Sequence, residues 1–220
     1  MYAVENAIIQ GTKLGEIPAE AHAMHCLQDQ LVQPTIQNPH SFSGNTIFCD
    51  AAWEIHPAHT PKQAGIGVFI QVQNNDRIHQ LHIAAMSPMA SSPLQAETFG
   101  LMLATRLAEI LNVQDPHFFT DCSVLVSAAK STDILSAPGP WNNMPLLAQI
   151  QNSPSFQSGK VAHISRGNNV KAHHLARLAL KVQNSHVLFR CLCLDAGLCS
   201  TRDSLSVSSV LPFTLSVKCS

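Results

Sequence analysis

With 220 residues the chain fits one domain plus extensions and can bury a substantial core. Apolar residues make up 45%, while charged residues reach only 12%, below the roughly one quarter usual for globular chains. A formal net charge of −1 excludes a global basic field that would advertise nucleic acid, and the lack of any run of about 18 uncharged apolar residues excludes a membrane-spanning helix. The seven cysteines are odd in number and scattered, and Cys191, Cys193, Cys199 and Cys219 lack the paired spacing of a zinc site. A reducing compartment without a disulfide framework is expected, and with no cleavable signal pattern at the N-terminus an intracellular location, nucleus and cytoplasm undistinguished.

Charge distribution says more than its sum. Between Asp133 and Asp195 there is no acid, whereas Lys160, Arg166, Lys171, Arg177, Lys181 and Arg190 all fall there. That half carries either a positive face for a polyanion or a merely solvated one.

In chain order, residues 1–44 read as an extension or linker. Ala19 to Leu31 has the pattern of a short helix carrying His22, His25 and Cys26, with no fourth ligand at finger spacing. Thr46–Trp53 reads as an apolar strand with one carboxylate, Asp50, in its middle. Such an acid either ends the strand in a turn or needs a partner or metal to offset its burial. Glu54–Lys62 is a loop. Gly65–Val72 is a second strand whose two glycines make no phosphate loop, since no lysine or helix start follows. Asn74-Asn75-Asp76 is a turn and Ile78–Met86 a third strand, completing an antiparallel meander in which His79 and His82 fall on opposite faces.

Ser92-Pro93-Leu94-Gln95 has the signature of a helix start: a cap, proline at the first position, and Gln three beyond the cap. Leu94, Leu101, Ala104, Ala108 and Leu111, with an adjoining row of Phe99, Leu103, Leu107 and Ile110, predict a mostly buried helix. Glu97 lies within that apolar surface, either complementing the helix dipole or facing a site. His117–Thr120 is a short strand delivering Asp121 at its carboxyl end, where open sheets bind ligands; Asp121 is otherwise a cap for the helix Cys122–Lys130. A helix over Asn143–Gln151, a last strand over Lys160–Arg166 and a helix over Asn169–Gln183 follow, the last capped by Asn168 or Asn169 with Ala172, Leu175, Ala176 and Ala179 inward. Residues 184–220 show no usable periodicity and read as a poorly ordered tail.

Asp50 in a first strand, Ala96-Glu97 in a capped first helix, Thr120-Asp121 ending a fourth strand and Asn169-x-x-Ala172-His173-x-Leu175-Ala176 stand in a characteristic order. On these motifs residues 45–183 resemble the ribonuclease H family, and in particular the reverse-transcriptase-like branch derived from plant non-LTR retrotransposons. The resemblance implies a mixed α/β fold, a five-stranded sheet of three antiparallel strands then two parallel ones, flanked by helices. It implies a monomeric domain that binds nucleic acid and hydrolyses the RNA strand of RNA–DNA hybrids. Two Mg²⁺ ions, or Mn²⁺, about 3.5–4 Å apart would be held by Asp50, Glu97, Asp121 and the residue at the fourth position, His173. Lys160, Arg166, Asn169 and Lys171 would contact the nucleic acid.

Two positions depart from the family pattern. His173 replaces the usual fourth acid, and imidazole suits Mg²⁺ poorly. Pro93 and Leu94 stand where asparagines usually contact the RNA 2′-hydroxyl. His163 reads as a residue of the last strand rather than a mobile histidine of a preceding loop, and His174 as solvent-facing. An active nuclease, a nucleic-acid-binding retrotransposon remnant without efficient cleavage, and a protein-interaction domain with structural acids are thus the three functional classes.

Overall fold

A computed structural model describes residues 44–54, 62–74, 77–132, 141–182, 186–190, 212–213 and 216–219. The meander forms as expected from β1 (Thr46–Ala52), β2 (Lys62–Asn74) and β3 (Arg77–Ala90), the last two longer at both ends than their apolar cores indicate. Helix α1 (Pro93–Ile110) starts at the predicted cap, with the Gln95 amide donating to Ser92 Oγ. Then come β4 (His117–Thr120), α2 (Ser123–Lys130), a 3₁₀ turn at Trp141–Asn143 leading into α3 (Met144–Gln151), α4 (Pro154–Ser158) and β5 (Lys160–His163). A second 3₁₀ turn, Arg166–Asn168, precedes α5 (Val170–Val182). The last strand stops three residues short of the expected Arg166 because Ser165-Arg166-Gly167-Asn168 closes a turn there. The short α4, with proline in its first turn after Ser153, has too few residues to show a period.

The sheet order is β5-β4-β1-β2-β3-β6-β7, with β1 parallel to β4, β4 parallel to β5, and β1–β2–β3 antiparallel. The five expected strands are therefore all present in the expected sense. Two more join at the β3 edge from the segment that showed no period: β6 (His186–Arg190) antiparallel to β3 and β7 (Ser216–Cys219) parallel to β6. The segment with His22, His25 and Cys26, the loop 55–61, the tip of the β2–β3 turn and Cys191, Cys193 and Cys199 lie outside the described residues. No helix among the described residues is long and apolar enough to cross a membrane.

Each face of the sheet has its own core. Ile47, Cys49, Ile66, Val68, Leu81 and Ile83 pack with α1 and α2, while Phe48, Phe69, Ala84 and Phe119 pack with Ala172, Leu175 and Ala179 of α5. Alternation along β1 therefore puts Asp50, two residues after Phe48, on the α5 side. Gly65 and Gly67 explain how closely α5 lies against the sheet. A Cβ on Gly67 would overlap the Ala172 carbonyl and come within 2.5 Å of the Ala176 nitrogen, and one on Gly65 would meet the backbone of Ala176 and Leu180. The two glycines of β2 form the seat of a helix, not a loop for phosphate.

Candidate active site

Asp50 is interior to β1, paired across to Gly67, so the turn reading is wrong; it is only 3% exposed. Glu97 is the fifth residue of α1, and no acid lies in that helix's first turn, so a dipole role does not account for it. Asp121 follows β4 directly, but α2 is preceded by Cys122 as its cap residue, and the Asp121 carboxylate instead accepts a hydrogen bond from Asn169 at 3.0 Å. The cap-only reading of Asp121 thus gives way to a tertiary contact.

These three acids, far apart in sequence, come into mutual electrostatic contact. Burial pushes the Glu97 carboxyl well above the usual carboxylate range, and the charges of Asp50 and Asp121 push it further, against a lowering by Arg166. Asp50 is raised to about 6, chiefly by burial; the His173 hydrogen bond lowers it and Asp121 raises it. Cys49, fully buried beside them, has its thiol raised by burial and then by Glu97, Asp50 and Asp121 in turn. Cys122 is also a buried free thiol.

The fourth position is engaged in a way the sequence does not disclose. His173 Nδ1 lies 2.7 Å from Asp50 Oδ2, and the Arg166 guanidinium stands 3.2 Å from His173 Nε2. Arg166, expected at the nucleic-acid surface, is thus a neighbour of the acids and partly offsets their charge. Asn169 is corrected more sharply. It is 1% exposed, and its amide donates both to the Cys49 carbonyl and to Asp121 Oδ1, each at 3.0 Å. It ties the start of α5 to β1 and to the end of β4, and so is a buried clip rather than a surface contact.

Lys171 is exposed, with its ammonium 4.1 Å from the Phe69 ring centroid. Lys160 opens β5, whereas Asp121 follows the carboxyl end of β4; with the two strands parallel and His163 paired to Thr120, Lys160 lies about 10 Å from that end. The fold does not bring Lys160 to the acids. His163 ends β5 as a strand residue, as expected, with Nδ1 buried and without a hydrogen-bond partner. His174 is exposed, and His82 packs on Phe69. Pro93 and Leu94 offer no donor, but Asn142 bonds Ser91 Oγ at 2.6 Å nearby, and Asn143 bonds Thr98 Oγ1 at 2.8 Å beside Glu97. The residues Asn142 and Asn143 carry no sequence signal beyond a polar turn.

The donor set suits a hard divalent cation, because it is all carboxylate oxygen apart from His173. Glu97 Oε2 is buried and has no hydrogen-bond partner, the kind of atom a cation would satisfy. Even so, among the described residues no group of three His, Cys, Asp or Glu side chains stands arranged to hold a metal. The contacts account for this: His173 holds one oxygen of Asp50, Asn169 holds one of Asp121, and the neighbouring like charges repel. The expected ligands thus form a cluster of suitable oxygens whose side chains would have to turn to share an ion.

This sheet, with its converging acids on β1, α1 and the end of β4, is ribonuclease H-like. The chain is similar to the N-terminal RNase H domain of rv2228c from Mycobacterium tuberculosis, solved as a fusion with maltose binding protein, with 18% identity over 63% of this chain and 94% of that one and a TM-score of 0.51. It is also similar to LC11-RNase H1, solved in complex with RNA/DNA hybrid, with 18% identity over 63% of this chain and 98% of that one and a TM-score of 0.51. At that identity these likenesses establish the fold alone. No curated protein matches the chain. The family model described as reverse transcriptase-like matches residues 49–179, well over half the chain, and the chain belongs to that family.

Proposed function

We propose that this domain cleaves the RNA strand of RNA–DNA hybrids in a reaction that depends on divalent cations, Mg²⁺ or Mn²⁺. The observation that carries the reading is the convergence of Asp50, Glu97 and Asp121: burial first, and then the neighbouring acids, raise the proton affinity of Asp50 and Glu97, against a partial lowering by His173 and Arg166. Acids drawn this close, one of them buried in β1 and two half-buried, suit a place that receives cations. When bound, the cations would supply Lewis acidity to the attacking water and to the departing 3′ oxygen. Asp50 would hold them from β1, Glu97 from α1 and Asp121 from the end of β4.

The chain's own residues prepare that chemistry. Asn169 fixes the orientation of Asp121 relative to β1, and His173 fixes Asp50. Arg166 supplies a positive charge that moderates the acids and, with Lys171, attracts the phosphodiester backbone. That LC11-RNase H1 was solved with an RNA/DNA hybrid supports this choice of substrate.

A second reading is a nucleic-acid-binding module without efficient cleavage, favoured by the direct His173–Asp50 contact. Labelled hybrid incubated with protein and Mg²⁺ or Mn²⁺ separates the two. Cleavage that disappears in Asp50→Asn is expected; binding without cleavage under every condition would establish the second reading instead.

A further inference from the structure

We propose, resting on the nucleic-acid reading above, that the outer face of α5 is a phosphate-binding rail that grips the substrate duplex beyond the cut. Lys171, His174, Arg177 and Lys181 are all exposed, while Ala172, Ala176 and Ala179 face the sheet. At 100° per residue the four lie within an arc of about 120°, so one solvent-facing surface carries them all. The sequence Val170–Val182 contains no acid, and neither do β2 and β3 beneath it. Among the described residues none of Lys171, Arg177 and Lys181 forms an ion pair. Among the described residues this cationic face therefore has no compensating ion pair, in a chain whose net charge is −1. Arg177 and Lys181, four residues apart on one helix face, repel each other slightly, a cost that a bound polyanion would relieve.

The placement gives the rail a direction. The start of α5 is fixed to the acids, through His173 on Asp50 and Asn169 on Asp121. The helix then runs away over Gly67 and Gly65, so the cations lead outward from the site. Lys171 to Lys181 spans about 15 Å at 1.5 Å per residue, equal to about four nucleotide steps at 3.4 Å each. The ligand is the sugar–phosphate backbone, read by charge and not by base. Lys171 anchors the near end, its ammonium held over Phe69.

The test is fluorescence anisotropy of a labelled RNA–DNA hybrid with the full chain in EDTA, titrated from 50 to 200 mM KCl. Arg177→Gln/Lys181→Gln should bind roughly tenfold or more weakly at the lowest salt, and the slope of log affinity against log salt should flatten by about 2. Lys130→Gln, at the exposed end of α2, serves as the control and should keep both affinity and slope. Thermal melts of all three proteins should coincide, since the changed side chains are at the surface. An unchanged slope in the double variant overturns the rail while leaving the cleavage reading intact. Failure of the unaltered chain to bind hybrid at all overturns the nucleic-acid reading and the rail with it.

Discussion

Asp50 concentrates the tension between stability and function in a single side chain. Its carboxyl rises from 3.8 in the unfolded chain to about 6 in the folded one, so between those values the folded state holds the proton more tightly. Stability linked to Asp50 is therefore full below about pH 4 and is lost as pH rises through about 6, by about 3 kcal/mol in all. In urea denaturation without divalent cations, Asp50→Asn should be more stable than the parent by up to about that amount at pH 8 and equal to it near pH 4. Equal stabilities at pH 8 would show that the buried charge is already neutralised by its neighbours. Asn169 makes the opposite case. Asn169→Ala leaves the Cys49 carbonyl and an Asp121 oxygen without their donor, at a cost of about 1–3 kcal/mol. In steady-state cleavage of hybrid it should lower kcat with KM little changed, because Asn169 is buried; a raised KM with unaltered kcat would return it to the substrate surface.

At the scale of elements, the position of α5 decides whether His173, Asn169 and the basic face reach their places. Gly67→Ala would drive a methyl into the backbone of that helix, which cannot yield as a side chain can. A loss of about 3 kcal/mol or more is expected in thermal or urea denaturation, against a few tenths for Gly167→Ala, where nothing lies within 4 Å. Comparable losses for the two variants would mean that α5 is not seated on β2. The sequence discloses these elements unevenly. The cap at Ser92 and the apolar rows of α1 locate that helix because the signals are local and repeated. Gly65 and Gly67 are plain in the sequence, yet their purpose depends on a helix more than 100 residues later, and no local pattern points to it. Asn169 misleads for the same reason, since a polar residue before a helix reads as a cap or a surface contact until the strands behind it are placed.

Across the whole molecule, β6 and β7 cover the β3 edge, and Phe213 packs edge-on against Phe99 of α1 at 6.4 Å. Removing residues 183–220 should lower Tm and cause self-association in size-exclusion chromatography, because a long strand edge is uncovered. Phe213→Ala alone should cost about 3 kcal/mol. A truncated chain that melts like the parent would show the added strands to be incidental. Their five- and four-residue lengths are too short for alternation to be read, whereas the order of acids and helices in residues 45–183 is a long-range pattern that carries the fold. What that pattern does not contain is the hydrogen bonding of His173, Arg166 and Asn169, which sets how far the acids are free to turn toward an ion. The most direct measurement is a calorimetric titration of the chain with Mn²⁺, beside Asp50→Asn, Glu97→Gln and Asp121→Asn. Saturable binding that each substitution weakens severely is expected from a shared site. Binding that survives all three substitutions unchanged, or is absent from the parent chain, would contradict it.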